Sequence, residues 1–134
     1  MLYANDPVRT GAFYRALGLR LENEDHGEGP VHFAVELGSV HVAIYPAESS
    51  GDAPTRRQAG CSFTGFYVEN LEGVTASLSE LATPILSGHE TMPWACRIVV
   101  EDPDGRPVEI NQREHCPEAR VDGDKLVGVR FPSG

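Results

Sequence analysis

The sequence predicts an α+β fold of two tandem βαβββ modules, whose curved mixed sheets surround a cleft. A strand-then-helix pattern near the start recurs 64 residues later, so that Tyr3 matches Tyr67 and Asp6 matches Asn70. Each copy is followed by three strand candidates. Two sheets of about four strands, each backed by one helix, can curve around a shared cleft.

The first module, residues 1–48, begins with the short strand LYA and a helix that Asp6 caps and Gly18 ends. Pro7 suits the first turn of that helix. Three strand candidates follow, LRLENED, VHFAVELG and VHVAIYP, separated by turn signals. The apolar positions of the first helix are expected to face the core: Val8, Ala12, Phe13, Ala16 and Leu17.

The second module, residues 61–113, repeats this plan with FYVENLEGVTASLSELA, in which Asn70 caps the helix. Its strand candidates are TPILSGHE, CRIVVEDPDG and RPVEINQ, and Asp104-Gly105 is a hairpin signal between the last two. A linker of small polar residues, Pro and Gly, residues 46–60, separates the modules. The apolar helix positions are Leu71, Val74, Leu78 and Leu81.

The whole chain, residues 1–134, is expected to form one domain, because its length suits a single hydrophobic core. Residues 114–134 form a C-terminal extension outside the repeat. They contain a turn and could add an edge strand or hairpin, or could serve as a partner-binding end. The alternating apolar residues of this extension are Leu126, Val127, Val129 and Phe131.

Charge and composition exclude several functional classes. The net charge of −9 disfavours nucleic acid and anionic membranes as partners and would attract a cationic ligand, although solubility is the more ordinary reason for such a charge. The three cysteines form no CxxC pair, which predicts neither a disulfide framework nor a zinc knuckle. With neither a membrane-length apolar stretch nor a signal-peptide pattern, a cytoplasmic location is expected.

Three segments, FYRALGL, FYVENLEGVTASL and PW-x-x-RIVVEDPDGRPVEINQ, resemble the vicinal oxygen chelate superfamily. That group includes glyoxalase I, extradiol dioxygenases, fosfomycin-modifying enzymes and bleomycin-resistance proteins. The resemblance covers roughly residues 1–113. It implies a cleft between paired modules, commonly completed in a homodimer. In the enzymes a divalent metal, held by a His/Glu set with two ligands from each module, polarises adjacent substrate oxygens.

Matched to the family's ligand positions, only Glu109 is a metal donor of the usual kind. The third position falls on Phe63, which has no lone pair. The second falls near Tyr45, with His41 as an alternative on the same strand face. The first falls before Met1, so that a ligand upstream or from a partner chain stays an alternative. The resemblance therefore implies a cleft without a family metal site, and we expect no metal or other cofactor.

Without a metal, the cleft is expected to be lined by aromatic rings. Alternation puts Phe63 and Tyr67 on one strand face and Phe66 on the core side. Trp94 could stack on a ligand or pack at an interface. The residues predicted to bind a ligand are Phe63, Tyr67, Trp94, Arg97, His41, Tyr45 and Glu109.

Three functions remain open. The leading hypothesis is a homodimeric protein that binds an unknown small organic ligand in this cleft. The alternative is a metal-dependent lyase, isomerase or dioxygenase of the glyoxalase kind, with Glu109 as the catalytic group. The third is an interaction module without a small ligand. Two further expectations are that His32 neighbours His41 on an adjacent strand, and that His89 and Glu90 lie in a loop, as a lid or a solvated turn.

Overall fold

The computed structural model describes residues 1–49, 51, 54 and 58–116, together with the backbone of residues 118–122 and 125–130. Residues 1–49 form one four-stranded sheet and one helix, in the order β1-β4-β3-β2 across the sheet. Strand β1 pairs with β4 in parallel, and the other neighbours are antiparallel. The elements are β1 (Leu2–Ala4), α1 (Pro7–Ala16), β2 (Glu22–Glu24), β3 (His32–Leu37) and β4 (Val40–Pro46).

The second sheet repeats this arrangement, in the order β5-β8-β7-β6, with a parallel β5–β8 pair. The shared order confirms the predicted α+β fold of two βαβββ modules. The elements are β5 (Thr64–Tyr67), α2 (Leu71–Glu80), β6 (Ile85–Met92), β7 (Ala95–Glu101) and β8 (Pro107–Gln112).

Both helices begin at the predicted caps. The Asp6 carboxylate accepts hydrogen bonds from the backbone N–H groups of Val8 and Arg9, at 3.1 and 3.2 Å. Asn70 Oδ1 accepts one from Gly73 at 2.9 Å. These bonds satisfy donors that have no partner inside a helix.

The buried face of α1 differs from the predicted one. Val8 is 68% exposed, whereas Thr10 and Tyr14 join Phe13 in the interior. A pattern of apolar residues misses Tyr14 because its phenol must find a polar partner when it is buried. That partner is Asp102, whose Oδ2 accepts the Tyr14 hydroxyl at 2.8 Å.

The same contact joins the two modules. The Asp102 side chain is fully buried, and Arg106 Nη1 lies 2.9 Å from its Oδ2 atom. Burial, followed by the charge of Asp102, raises the pKa of Tyr14 above its usual range. Asp104 adds a bond from the Thr10 hydroxyl at 2.6 Å. The DPDG turn therefore closes the β7–β8 hairpin and also attaches α1 to it.

One hydrophobic core lies between the helices and the sheets. It includes Phe13 and Tyr14 from α1, Leu71 and Leu78 from α2, and Ile110 from β8. Leu81, which was predicted to face the core, is 42% exposed just after α2 ends. The helices pack on one face of each sheet, and the opposite faces carry most of the polar strand residues.

The C-terminal extension contains strands β9 (Glu118–Asp122) and β10 (Lys125–Arg130), paired antiparallel in a two-stranded sheet of their own. The predicted turn between them and Phe131 lie outside the described residues, as does much of the predicted linker. Among the described residues, no helix is long and apolar enough to cross a membrane.

Candidate functional site

The candidate site lies on the face of the second sheet that points away from the helices, which we call the open face. Strand alternation sends Phe66, Ile98 and Ile110 into the core. Opposite them, Gly65 pairs with Glu109, and Arg97 pairs with Asn111. The open face is defined by Gly65, Tyr67, Arg97, Val99, Glu109 and Asn111.

Glu109 is held at both carboxylate oxygens. Its Oε2 atom lies 2.8 Å from Arg97 Nη1, and its Oε1 atom accepts a hydrogen bond from Asn111 Nδ2 at 2.8 Å. The Glu109 side chain is 23% exposed. The two contacts fix the orientation of the Glu109 carboxylate.

Arg97 lies between two carboxylates. Its Nη2 atom is 2.8 Å from Glu90 Oε2, and its Nε atom donates to the same oxygen at 2.8 Å. The hydrogen bond that Arg97 donates to Glu90 is the main cause that raises the pKa of Arg97. One guanidinium therefore faces two carboxylates, and the group as a whole carries one net negative charge.

Asn111 brings an acceptor without a partner. Its Nδ2 atom must point at Glu109, because a carboxylate accepts hydrogen bonds and does not donate them. The Oδ1 atom is then directed elsewhere, and it is buried without a hydrogen-bond partner. Asn111 as a whole is 3% exposed. Such orphaned acceptors are rare in folded proteins and favour a bound donor group.

Aromatic side chains stand beside this polar row. Gly65 leaves space next to Glu109, because a Cβ built on it would only reach ordinary contact with Glu109 Oε1, at 3.8 Å. Phe63 and Tyr67 flank that space and are 48% and 56% exposed. The Arg113 guanidinium lies over the Tyr67 ring, 3.9 Å from its centroid. One face of the Tyr67 ring therefore already holds a cation, that of Arg113.

Trp94 is 60% exposed in the turn between β6 and β7. Two residues on, Cys96 pairs with Gln112, which places Trp94 at the end of the sheet where β8 finishes. A surface pocket of about 420 Å³ opens at that end. Its lining residues are Tyr67, Val68, Glu69, Gln112, Arg113, Glu114 and His115.

The predicted residues His41 and Tyr45 lie on the first sheet. His41 pairs with Glu36 through its Nδ1 atom. The expected neighbour of His41, His32, instead stacks on Tyr45 with ring centroids 4.0 Å apart. That expectation was wrong because the antiparallel register of β3 and β4 puts Glu36 opposite His41. The predicted anchors are thus divided between two sheets, with Arg97 and Glu109 together on the second.

The expected loop at His89 and Glu90 was also wrong, since both residues lie in β6. Burial lowers the pKa of His89, whose Nε2 atom is buried without a hydrogen-bond partner. The sequence interpretation missed Glu90 as a partner of Arg97. No local pattern in the sequence indicates this ion pair, because the pairing of β6 with β7 shifts its register between Ser87 and Glu90.

The residues at the family's metal positions do not fit a metal. The oxygens of Glu109 are already bound by Arg97 and Asn111, and His41, the alternative at the second position, contacts Glu36. Phe63 offers only carbon atoms, and Tyr45 stacks on His32. A catalytic metal normally has three or more protein ligands. Elsewhere in the described chain, a separate group can hold an ion: Glu24, His26 and His32.

Comparison with known proteins agrees with this architecture. The family model "Glyoxalase/Bleomycin resistance protein/Dioxygenase superfamily" matches residues 1–110. No curated protein matches the chain in sequence.

Solved structures show the same fold at low sequence identity. A hypothetical protein, SA1046, from S. aureus is 13% identical, with a TM-score of 0.66 over 83% of this chain and 88% of that one. A glyoxylase/bleomycin resistance protein/dioxygenase domain from Frankia sp. EAN1pec is 16% identical, with a TM-score of 0.64 over 84% and 93%. A glyoxalase family protein from Enterococcus faecalis is 24% identical, with a TM-score of 0.61 over 82% and 91%.

Proposed function

The chain belongs to the glyoxalase/bleomycin resistance protein/dioxygenase superfamily, and from that premise we propose that it binds a small organic ligand on the open face, without a metal at Glu109. Members of this superfamily bind small ligands and often form dimers. We propose a cytoplasmic homodimer as the working form, in which Glu109 anchors the ligand and does not coordinate an ion.

The observation that carries this proposal is the buried, unpartnered Oδ1 atom of Asn111. Asn111 donates a hydrogen bond to Glu109, which together with Glu90 already neutralises the charge of Arg97. A ligand N–H group would satisfy the Asn111 acceptor, and a positive charge on it would be attracted by the remaining negative charge. An anionic ligand would have to displace Glu90 or Glu109 from Arg97.

The flanking rings determine the rest of the ligand. Phe63 and Tyr67 expose aromatic surface on either side of Gly65, and a flat ring can lie against them. The ligand class that fits best is a small aromatic compound with a protonated amine or amidine. Bleomycin appears in the name of the family and combines aromatic rings with cationic groups, so we choose it as the first probe. The overall charge of −9 also attracts cations.

The test is a calorimetric titration with bleomycin and a panel of small aromatic amines and amidines. We expect one compound to bind, and Gly65→Leu to weaken it by about tenfold or more, since the leucine fills the space beside Glu109. The matched control is Gly51→Leu, at a glycine whose added Cβ would meet nothing within 4 Å. Binding that Gly65→Leu leaves unchanged would contradict the proposed site.

The alternative, a metal-dependent lyase, isomerase or dioxygenase, requires Glu109 to leave Arg97 and to find at least two more donors. An intact Arg97–Glu109 pair opposes this, because releasing the carboxylate leaves the guanidinium with one partner fewer. An interaction module without a small ligand would show no binding from any compound of the panel. These outcomes are separable by experiment.

A further inference from the structure

We infer that Glu24, His26 and His32 form a binding site for a borderline divalent cation, with zinc as the best match. The three side chains lie on the first sheet and the loop that follows β2, and none of them occupies a position that the resemblance matches to a family metal ligand. Glu24 ends β2 and pairs directly with His32, at the start of β3. Paired residues of neighbouring strands point to the same side, so both side chains converge.

The distances suit a tetrahedral ion. Glu24 Oε2 lies 3.3 Å from His26 Nε2 and 3.3 Å from His32 Nε2. Metal–ligand bonds of about 2.0–2.2 Å give a tetrahedron with edges of about 3.3–3.6 Å. All three ligand atoms lie within 4.8 Å of one another. The His26 side chain is 71% exposed, so rotation of its ring can close the wider edge.

His32 presents an acceptor without a partner to this group of side chains. Its Nδ1 atom lies 3.1 Å from the Pro30 carbonyl oxygen, which can only accept, so Nδ1 carries the proton. In the neutral ring Nε2 is then a bare lone pair. This atom is buried without a hydrogen-bond partner, and Glu24 Oε2 lies 3.3 Å from it. Two acceptors facing each other repel, unless a cation lies between them.

The surroundings of His32 resemble the support that metal-binding histidines receive. A ligating histidine usually donates its second ring N–H to a carbonyl or carboxylate, which fixes the ring and its tautomer. The carbonyl oxygen of Pro30 has this role here. Tyr45 stacks on the His32 ring with an interplanar angle of 14°. The His32 ring is therefore oriented before any ion binds, with its side chain only 2% exposed.

The donor set selects the kind of ion. Two imidazoles and one carboxylate suit zinc and its neighbours, whereas magnesium prefers oxygen ligands. Three protein ligands leave a fourth position for water or a ligand group. This inference is independent of the proposed function, since neither Glu109 nor Arg97 takes part.

The test is zinc titration of the metal-stripped full chain by calorimetry, with magnesium as the comparison ion. We expect one zinc per chain, no comparable magnesium binding, and an affinity about 100-fold lower or worse in His26→Ala and in His32→Phe. His32→Phe keeps a ring on Tyr45 but removes the donor. Because His26 is exposed, His26→Ala tests the site even if His32→Phe fails to fold.

The control is His41→Ala, which removes another histidine that contacts a glutamate on the same sheet. Zinc affinity should be unchanged in His41→Ala and in Glu109→Gln. The inference is overturned if the chain binds no zinc, or if both His26→Ala and His32→Phe bind it like the unchanged protein. It is also overturned if Glu109→Gln abolishes binding, which would instead indicate a family-type metal site and contradict the proposed function.

Discussion

Arg97 and Glu109 form an ion pair across neighbouring strands, with Nη1 and Oε2 2.8 Å apart. Their side chains are 28% and 23% exposed. The resemblance to the family matches Glu109 to a metal-ligand position of the enzymes. Here the Arg97 guanidinium lies against that carboxylate. The pair therefore supports the proposal that Glu109 acts without a metal.

The Arg97–Glu109 pair should be measurable as a coupling energy. A double-mutant cycle with Arg97→Met and Glu109→Gln is expected to give about 1–2 kcal/mol, because both groups are largely covered and Arg97 stays bound to Glu90. Urea denaturation of the four proteins measures it. The exposed pair of His41 and Glu36 should give a smaller coupling in the same experiment. A coupling near zero would mean that the pair does not hold Glu109 in place.

The contact between Tyr14 and Asp102 should contribute strongly to stability. Tyr14→Phe is expected to lower the free energy of unfolding by about 1.5–3 kcal/mol, because it removes a hydrogen bond to a fully buried carboxylate. The control is Tyr3→Phe, at a tyrosine that is 55% exposed. Equal effects of the two substitutions would show that the Asp102 contact is not important for joining the modules.

His89 should make stability fall in acid. Burial lowers its pKa in the folded state below the ordinary value of 6.5, so the unfolded chain binds the proton first. The contribution is complete above pH 6.5 and is lost as the pH falls through the lowered folded-state pKa. Compared with His89→Gln, the unchanged protein should lose more stability between about pH 8 and about pH 5. Parallel pH profiles for the two proteins would rule this out.

Trp94 should report ligand binding directly. It is the single tryptophan of the chain and is 60% exposed, so acrylamide should quench its fluorescence efficiently in the free protein. A ligand that covers the β8 end of the open face should reduce this quenching. The same titration with Gly65→Leu controls for nonspecific effects. If a ligand binds with full affinity and leaves Trp94 equally accessible, Trp94 is not part of the binding site.

Local sequence signals predicted much of the fold. The repeat, the caps Asp6 and Asn70, and the Asp104-Gly105 turn each follow from short-range chemistry, and the structure contains all of them. Strand alternation also placed Glu109 and Asn111 on one face, where they are hydrogen-bonded. These features depend on neighbouring residues, which a sequence displays directly.

The partners of the site residues depend on register between distant segments, which the sequence does not display. Glu90 reaches Arg97 only because β6 shifts its pairing near Ser87. His32 lies beside Glu24 because the register of β2 and β3 pairs these two residues. Another register would pair Glu24 with a different residue of β3. Tyr14 was missed for the same reason, since its partner lies 88 residues away. The site therefore depends more on how distant strands pair than on any local sequence motif.

The central claim, that Glu109 is an organic-ligand anchor and not a metal ligand, is tested most directly by metal binding in a variant that lacks the separate histidine site. In His26→Ala, calorimetric titration with zinc, nickel, iron(II) and manganese should show at most the weakened binding of the histidine site, and adding Glu109→Gln should change nothing. Stoichiometric binding of any of these ions in His26→Ala that disappears with Glu109→Gln would contradict the claim.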